Sequence, residues 1–196
     1  TYEIEDVRNP NKEVSYDECY AQLISGVPVG ESRSQLISGT YSRLRKVVVM
    51  PYLNASANAD VSPAVSCFTS EPATCSPLVG MGALDQYNVR VGINNVYPQN
   101  IQYSWQNYLQ EVQGDNAVHG GIDSAMASGL ISQKDWETAY SYRVTNLSRK
   151  PELQDLNGSQ ITVSFKNSST KVMDYLVLVY YEKTIGLEIE KGLVVL

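Results

Sequence analysis

The sequence predicts an all-β domain, an antiparallel β-sandwich with one or two short helices and long loops. Three observations indicate this class. The chain has 14 Tyr against 2 Phe among its 196 residues and is rich in Val, a composition typical of half-buried pleated strands. Several runs alternate strictly between apolar and polar residues. Turn-forming Ser, Asn, Gly and Pro separate those runs, as in a sandwich. A chain of this length fits a single domain spanning residues 1–196.

The alternation is clearest in residues 86–93 and 159–166. Residues 44–53 form a further apolar run, residues 187–190 alternate briefly, and residues 2–8 resemble an imperfect edge strand. Because successive side chains of a strand point to opposite faces, the apolar set of each run should face the core. Ile93 shares this face with Tyr87, Val89 and Val91 in the first run. The predicted core residues are Tyr87, Val89, Val91, Ile161, Val163, Phe165, Val177 and Val179.

Residues 172–183 differ from the other strands because they are apolar on both faces. One face must point into the sandwich. The other requires cover from a loop of the same chain, a second domain or another subunit.

Two short helices interrupt the strand pattern. The first carries one apolar stripe at helical spacing, and Gly114 stands where a C-terminal cap belongs. Its stripe consists of Ile101, Trp105, Tyr108, Leu109 and Val112. Ser132 and Asp135 have the spacing of a capping box for the second helix, which places Trp136 and Tyr140 on one face. Both aromatic stripes are interpreted as core packing rather than as a ligand cage.

Residues 54–84 are predicted to form a long projecting loop. They contain three prolines and small residues but no Lys or Arg, a content that suits packing against another protein chain. Residues 114–129 form a second irregular region.

The net charge of −6 argues against direct nucleic-acid binding. Arg43, Arg45 and Lys46 form the tightest basic cluster and are interpreted as a solvated strand start. The longest apolar run, residues 175–181, is far shorter than the roughly 18 residues that a membrane helix requires, so no membrane insertion is expected.

The sequence predicts no catalytic, cofactor-binding or metal-binding residues, and therefore no enzyme. The single His119 lies near Asp115, Asp123 and Ser124 only in sequence, within a Gly-rich stretch. Cys19, Cys67 and Cys75 lack metal-site spacing and are expected to be free thiols, although Cys67 and Cys75 could close a small loop. Asn-x-Ser triplets at Asn54, Asn146, Asn157 and Asn167 are expected by chance in a chain rich in both residues.

The order of motifs from residue 41 onward resembles a known family. A basic-apolar strand, YSRLRKVVVMPYLN, precedes the alternating strand YNVRVGINNVYP and the aromatic helix IQYSWQNYLQEV. A strand with the polar ending RVTNLSR follows, and then the tyrosine-rich and acidic strands of MDYLVLVYYEKTIGLEIE. This order resembles the C-terminal jelly roll of hexon-like double jelly-roll major capsid proteins, found in tailless icosahedral DNA viruses and in Polinton- or adintovirus-like elements.

The resemblance implies a jelly-roll sandwich that serves as a capsid shell subunit. It implies a homotrimer that contacts other capsid subunits and minor capsid proteins, located in a virion that assembles inside the host cell. Because such proteins carry two jelly rolls, the chain is expected to be one half of a longer polypeptide or a subunit supplying a single jelly roll. A carbohydrate- or receptor-binding sandwich, such as a viral spike or penton, is the alternative function, and a hydrolase on the same fold is a third.

Overall fold

The structure, a computed structural model, describes residues 11–41, 43–54, 56–57, 84–112, 132–138, 142–148, 159–190 and 193–195. In these ranges the chain forms strands and two short helices. The strands are Asn11–Val27 (β1), Ser32–Tyr41 (β2), Leu44–Leu53 (β3), Asp85–Val91 (β4), Asn94–Asn95 (β5), Arg143–Asn146 (β6), Ser159–Lys166 (β7), Met173–Glu190 (β8) and Leu193–Val195 (β9). The helices are Trp105–Val112 (α1) and Gln133–Thr138 (α2).

The strands form two antiparallel sheets. The first has the order β1-β8-β3-β6, with β9 paired to the far end of β8, and the second has the order β2-β7-β4-β5. The first and last of the eight main strands therefore pair, as do β2 with β7, β3 with β6 and β4 with β5. The predicted all-β antiparallel sandwich is confirmed.

The core lies between the two sheets. All eight side chains predicted to face it are buried. The two sheets meet directly where the ring of Phe165 on β7 packs 4.3 Å, centroid to centroid, from the ring of Tyr175 on β8. Burying one such apolar side chain stabilises a fold by about 1.5–3 kcal/mol, so the inward-facing side chains are a main source of the sandwich's stability.

One residue of the alternating pattern was predicted on the wrong side. Ile93 is 93% exposed, although Val91 two positions earlier is buried. Strand β4 ends at Val91, and Gly92 then adopts a positive φ of 59° that turns the chain into β5. The alternation therefore stops one residue before Ile93, because a turn replaces the strand.

Two further predicted strands agree with the structure: the run 44–53 is β3 and 159–166 is β7. The two strands predicted at 172–183 and 187–190 are instead parts of one continuous strand, β8, which begins one residue later, at Met173. Three predictions lie outside the described residues: the strand at 2–8, most of the loop at 54–84 and the irregular region at 114–129. Strands β1 and β2 were not predicted.

Both predicted helices are present, and Trp105, Tyr108 and Trp136, the aromatic residues described in them, belong to the core. In α1 the buried residues are Trp105, Tyr108, Leu109 and Val112. Ser104 and Asn107 cap its first turn reciprocally, the Ser104 amide donating to Asn107 Oδ1 at 3.0 Å and the Asn107 amide to Ser104 Oγ at 3.4 Å. Ile101 precedes the helix and bridges to Tyr87 instead. Helix α2 begins directly after Ser132, and its Trp136 is buried. Gly114, the predicted cap of the first helix, and Tyr140, predicted on the second, lie outside the described residues.

The helical region closes the β6 edge of the first sheet. The hydroxyl of Tyr103 donates to the Val144 carbonyl at 2.5 Å and accepts from the Val144 amide at 3.2 Å. Two residues further along β6, the amide of Asn146 donates a hydrogen bond to a carboxylate oxygen of Glu111 at 2.7 Å. Burial raises the pKa of Tyr103 well above its ordinary value, which keeps the hydroxyl protonated as a donor. Side chains thus satisfy backbone groups that another strand would otherwise pair.

We expect Tyr103→Phe to lower the free energy of unfolding by about 1–3 kcal/mol, because it leaves the buried Val144 amide and carbonyl without the hydroxyl. Urea denaturation followed by circular dichroism measures this loss. Tyr16→Phe is the matched control, since Tyr16 is exposed and its change should stay within about 0.5 kcal/mol. Equal stability of the two variants would show that the Tyr103 hydroxyl does not protect the edge.

Candidate interaction surface

Strand β8 is the element that the sequence marked as apolar on both faces, and the structure separates those faces. Val177 and Val179 point into the sandwich and are fully buried. Leu176, Leu178 and Tyr180 point the other way and are half-buried. Because β8 lies in the interior of its sheet, between β1 and β3, its outward residues form the centre of a wider surface.

The pairing register identifies the rest of that surface, since residues paired across antiparallel strands lie on the same face. On β1 the partners of the outward β8 residues are Cys19, Ala21 and Leu23, all exposed, with Leu23 exposed to 58%. On β3 the partners are Lys46, Val48 and Met50. We call these nine residues the outer face: Cys19, Ala21, Leu23, Lys46, Val48, Met50, Leu176, Leu178 and Tyr180.

The outer face is nearly uncharged. Its one ionisable cation, Lys46, is buried, and its ammonium nitrogen lies 4.8 Å from the centroid of the Tyr180 ring. That geometry is a cation–π contact, which holds the charge against the sheet. Partial desolvation by the neighbouring strands raises the pKa of the Cys19 thiol, which favours its neutral form. The Cys19 thiol is free, whereas Cys67 and Cys75 lie outside the described residues.

Charged residues bound the outer face at one end, and they are paired with one another. Arg43 reaches Glu182 at 2.9 Å, Arg45 also contacts Glu182, and Arg45 lies 3.7 Å from Asp17. Burial alone would raise the pKa of Glu182, but the hydrogen bond from Arg43 and the charge of Arg45 bring it below its ordinary value. Two members of the predicted basic cluster are therefore neutralised by carboxylates, and Lys46, the third, is buried. The interpretation as a solvated strand start was wrong for Lys46.

The opposite end is polar and also satisfied internally. Oδ1 of Asp174 accepts hydrogen bonds from the Gly26 amide at 2.7 Å, from Asn54 Nδ2 at 2.8 Å and from Ser25 Oγ at 2.9 Å. The outer face thus has an apolar centre and polar ends whose charges already have partners. An apolar centre with a polar rim is the usual anatomy of a protein–protein interface.

The described residues offer little else that could act chemically. They hold no group of three or more His, Cys, Asp or Glu side chains placed to bind a metal ion. A cavity of about 210 Å³ is lined by Ser15, Tyr16, Asp17, Arg45 and Glu182, the last three of which form the ion pairs already described. His119, Asp115, Asp123 and Ser124 lie outside the described residues. Neither described helix is long and apolar enough to cross a membrane.

Comparison with known proteins gives similarity of structure only. Neither a protein-family model nor a curated protein sequence matches the chain. A quasi-atomic model of the PBCV-1 virus capsid aligns with a TM-score of 0.47 and 10% identity over 94% of this chain and 51% of that chain. PBCV-1 VP54, fitted into a cryo-electron microscopy reconstruction of the virophage Sputnik, aligns with a TM-score of 0.44 and 12% identity over the same shares. The chain spans about half the length of both structures. Similarity at this level establishes neither a family nor a function. The class established by the chain's own structure is an antiparallel β-sandwich domain with an apolar outer face.

Proposed function

We propose that this chain is a non-enzymatic structural subunit of a viral capsid, built as a jelly roll. The observation that carries the proposal is the strand pairing. A jelly roll forms when an antiparallel ribbon, with strands one to four running beside strands eight to five, wraps into two sheets. The pairs β1–β8, β2–β7, β3–β6 and β4–β5 are those of such a ribbon. The family resemblance of the sequence implies the same fold, and viral capsid domains are among its common uses.

The outer face supports the assembly part of the proposal. Leu23, Leu176 and Met50 lie in register across three strands, with Leu23 largely exposed. A lone domain would leave this apolar surface in water, whereas a neighbouring subunit or second jelly roll would bury it. We propose that the occupant is another capsid subunit, in a homotrimer that also contacts minor capsid proteins. Membrane insertion and direct nucleic-acid binding form no part of this role.

The same proposal covers location and domain organisation. The chain would reside in the virion after assembly inside the host cell. It would supply one jelly roll, either alone or as half of a double jelly-roll polypeptide, with the loop at residues 54–84 projecting towards neighbouring subunits. In the sequence these residues connect β3 to β4.

The glycan-binding alternative gains no support from the tryptophans. Sugar rings stack on exposed aromatic faces, and both Trp105 and Trp136 are buried in the aromatic cluster beside β6. The capsid role therefore remains the better-supported function.

Multi-angle light scattering of the purified protein tests the assembly proposal. We expect a stable trimer at micromolar concentration, because obligate contacts of this kind usually bury more than roughly 2,000 Å² in total. Negative-stain images of the same sample should show three-fold particles. A monomer that persists at micromolar concentration would contradict the proposal.

A further inference from the structure

Three Asn-x-Ser triplets share a position in the fold. Asn54 directly follows β3, Asn146 is the last residue of β6, and Asn167 directly follows β7. Each asparagine is buried. In a secreted chain the same triplet is the acceptor for N-glycosylation, which replaces one hydrogen of Asn Nδ2 with the anomeric carbon of a sugar. A triplet can carry a glycan in the folded protein only if its Nδ2 atom is accessible to solvent.

Asn167 is the most constrained of the three, with an exposed fraction of 0%. Its Nδ2 lies within hydrogen-bonding distance of the carbonyl oxygens of Val27 at 2.9 Å, Lys171 at 3.0 Å and Pro28 at 3.1 Å. Its Oδ1 accepts from the amide and the hydroxyl of Ser169, at 3.0 and 2.6 Å. The side chain therefore joins the turn after β1 to the turn between β7 and β8.

Asn146 repeats the arrangement. Its Oδ1 accepts from the amide of Ser148 at 3.0 Å and from the Ser148 hydroxyl at 2.5 Å, while its Nδ2 donates to the Glu111 carbonyl at 3.3 Å. In both triplets the serine that an acceptor motif requires instead closes a turn on the asparagine. Such side-chain turns are a general use of Asn in loops.

Asn54 is a variant of the same arrangement. Its Oδ1 accepts from the Ala57 amide at 2.8 Å, one residue beyond the serine of its triplet. Its Nδ2 donates to Asp174 Oδ1 at 2.8 Å. In all three cases Oδ1 accepts a hydrogen bond from a backbone amide two or three residues later, which stabilises the turn after the strand. In all three cases Nδ2 donates to an oxygen of another element or turn.

We infer that Asn54, Asn146 and Asn167 are strand-ending turn residues and that the folded domain does not carry N-glycans on them. A sugar attached to Nδ2 would displace the oxygen atoms that accept hydrogen bonds from that nitrogen. There is also no space for a sugar ring around these buried side chains. A chain glycosylated at these positions during synthesis would therefore fail to reach this fold. The fourth triplet, at Asn157, lies outside the described residues.

The first test uses stability. Asn167→Asp keeps the shape of the side chain but turns a donor that faces three carbonyl oxygens into an acceptor. We expect the melting temperature to fall by about 5–10 °C, or the protein to be recovered unfolded. Asn95→Asp, at an exposed position of β5, is the control and should melt within about 1 °C of the parent. Ser169→Ala, which removes only the hydroxyl, should give a smaller fall, against no change for Ser168→Ala at the exposed neighbour.

The second test uses modification. The protein is expressed through the secretory pathway of a eukaryotic cell, its trypsin-resistant folded fraction is isolated, and glycan occupancy is mapped by mass spectrometry. We expect no occupancy at Asn54, Asn146 or Asn167 in that fraction. A folded species bearing a glycan at any of the three, or equal melting temperatures for Asn167→Asp and Asn95→Asp, would overturn the inference.

Discussion

Trp136→Ala should lower the free energy of unfolding by about 3–5 kcal/mol, the range for truncating a large buried aromatic side chain. Trp136 has an exposed fraction of 0%, and its ring packs 5.6 Å from the Tyr108 ring and 5.7 Å from the Trp105 ring, centroid to centroid. Its indole nitrogen donates to the Tyr142 carbonyl at 2.9 Å. The substitution opens a cavity between the two helices and leaves that carbonyl without its donor.

Urea denaturation monitored by far-ultraviolet circular dichroism measures this effect without relying on tryptophan emission. Ile93→Ala serves as the control, because it also truncates a large apolar side chain, but one that is 93% exposed. Its effect should remain within about 0.5 kcal/mol. A similarly small effect for Trp136→Ala would show that the packing of Trp136 against helix α1 does not contribute to the stability of the core.

Leu176→Lys should separate the proposed subunits while leaving each one folded. Leu176 lies on the central strand of the outer face, in register with Leu23 on β1 and Met50 on β3. An ammonium group forced into this apolar contact would weaken association by at least about a hundredfold, equivalent to about 2.7 kcal/mol. The isolated domain should tolerate the change, since a lysine on a half-buried strand position can extend its charge into water.

Sedimentation velocity across a concentration series measures the shift from trimer to monomer, and circular dichroism confirms that the fold is retained. Ile93→Lys introduces the same charge at the exposed β4–β5 turn and should assemble as the parent does. If Leu176→Lys sediments like Ile93→Lys at every concentration, then the outer face is not the contact.

Period-2 alternation predicted the central strands β4 and β7, and apolar runs predicted the central strands β3 and β8, but neither pattern predicted the edge strands β1 and β2. β4 and β7 have an apolar set on one face, which the pattern reports directly. In β1 the inward positions include Tyr20, Gln22 and Ile24, and Gln22 uses its side-chain oxygen to accept from the Ser38 amide of β2. An edge strand with a polar residue on its inward face does not alternate strictly between apolar and polar residues. Here the inward Gln22 side chain contacts the backbone of β2 instead of the apolar core.

The outer face could be predicted only in part. The doubly apolar β8 sequence indicated that a second buried or contacting face exists. Its neighbours Cys19 and Leu23 could not be found, because only the β1–β8 register places them beside Tyr180 and Leu176. Pairing between residues more than 150 positions apart is set by the folded topology and leaves no local signal.

Arg143 is a second feature that the sequence did not reveal. It is fully buried on the inner face of β6, with its guanidinium carbon 5.6 Å from the centroid of the Trp136 ring. Burial lowers the pKa of Arg143 to about 10, while neighbouring tyrosines act in the opposite direction. Arginine is almost never fully buried unless it is paired, so a sequence-based interpretation places it at the surface. The tyrosine-rich and tryptophan-rich cluster provides the setting that makes its burial tolerable.

The thiol of Cys19 provides the most direct test of whether the outer face is a subunit contact. Cys19 lies on that face beside Tyr180 and is exposed in the single chain. The rate of its alkylation by a maleimide is followed peptide by peptide by mass spectrometry, which separates it from Cys67 and Cys75. We predict slow labelling of Cys19 at concentrations where the parent protein is assembled, and fast labelling on dilution or in Leu176→Lys. Equally fast labelling of Cys19 in the assembled parent and in the dissociated variant would contradict the account.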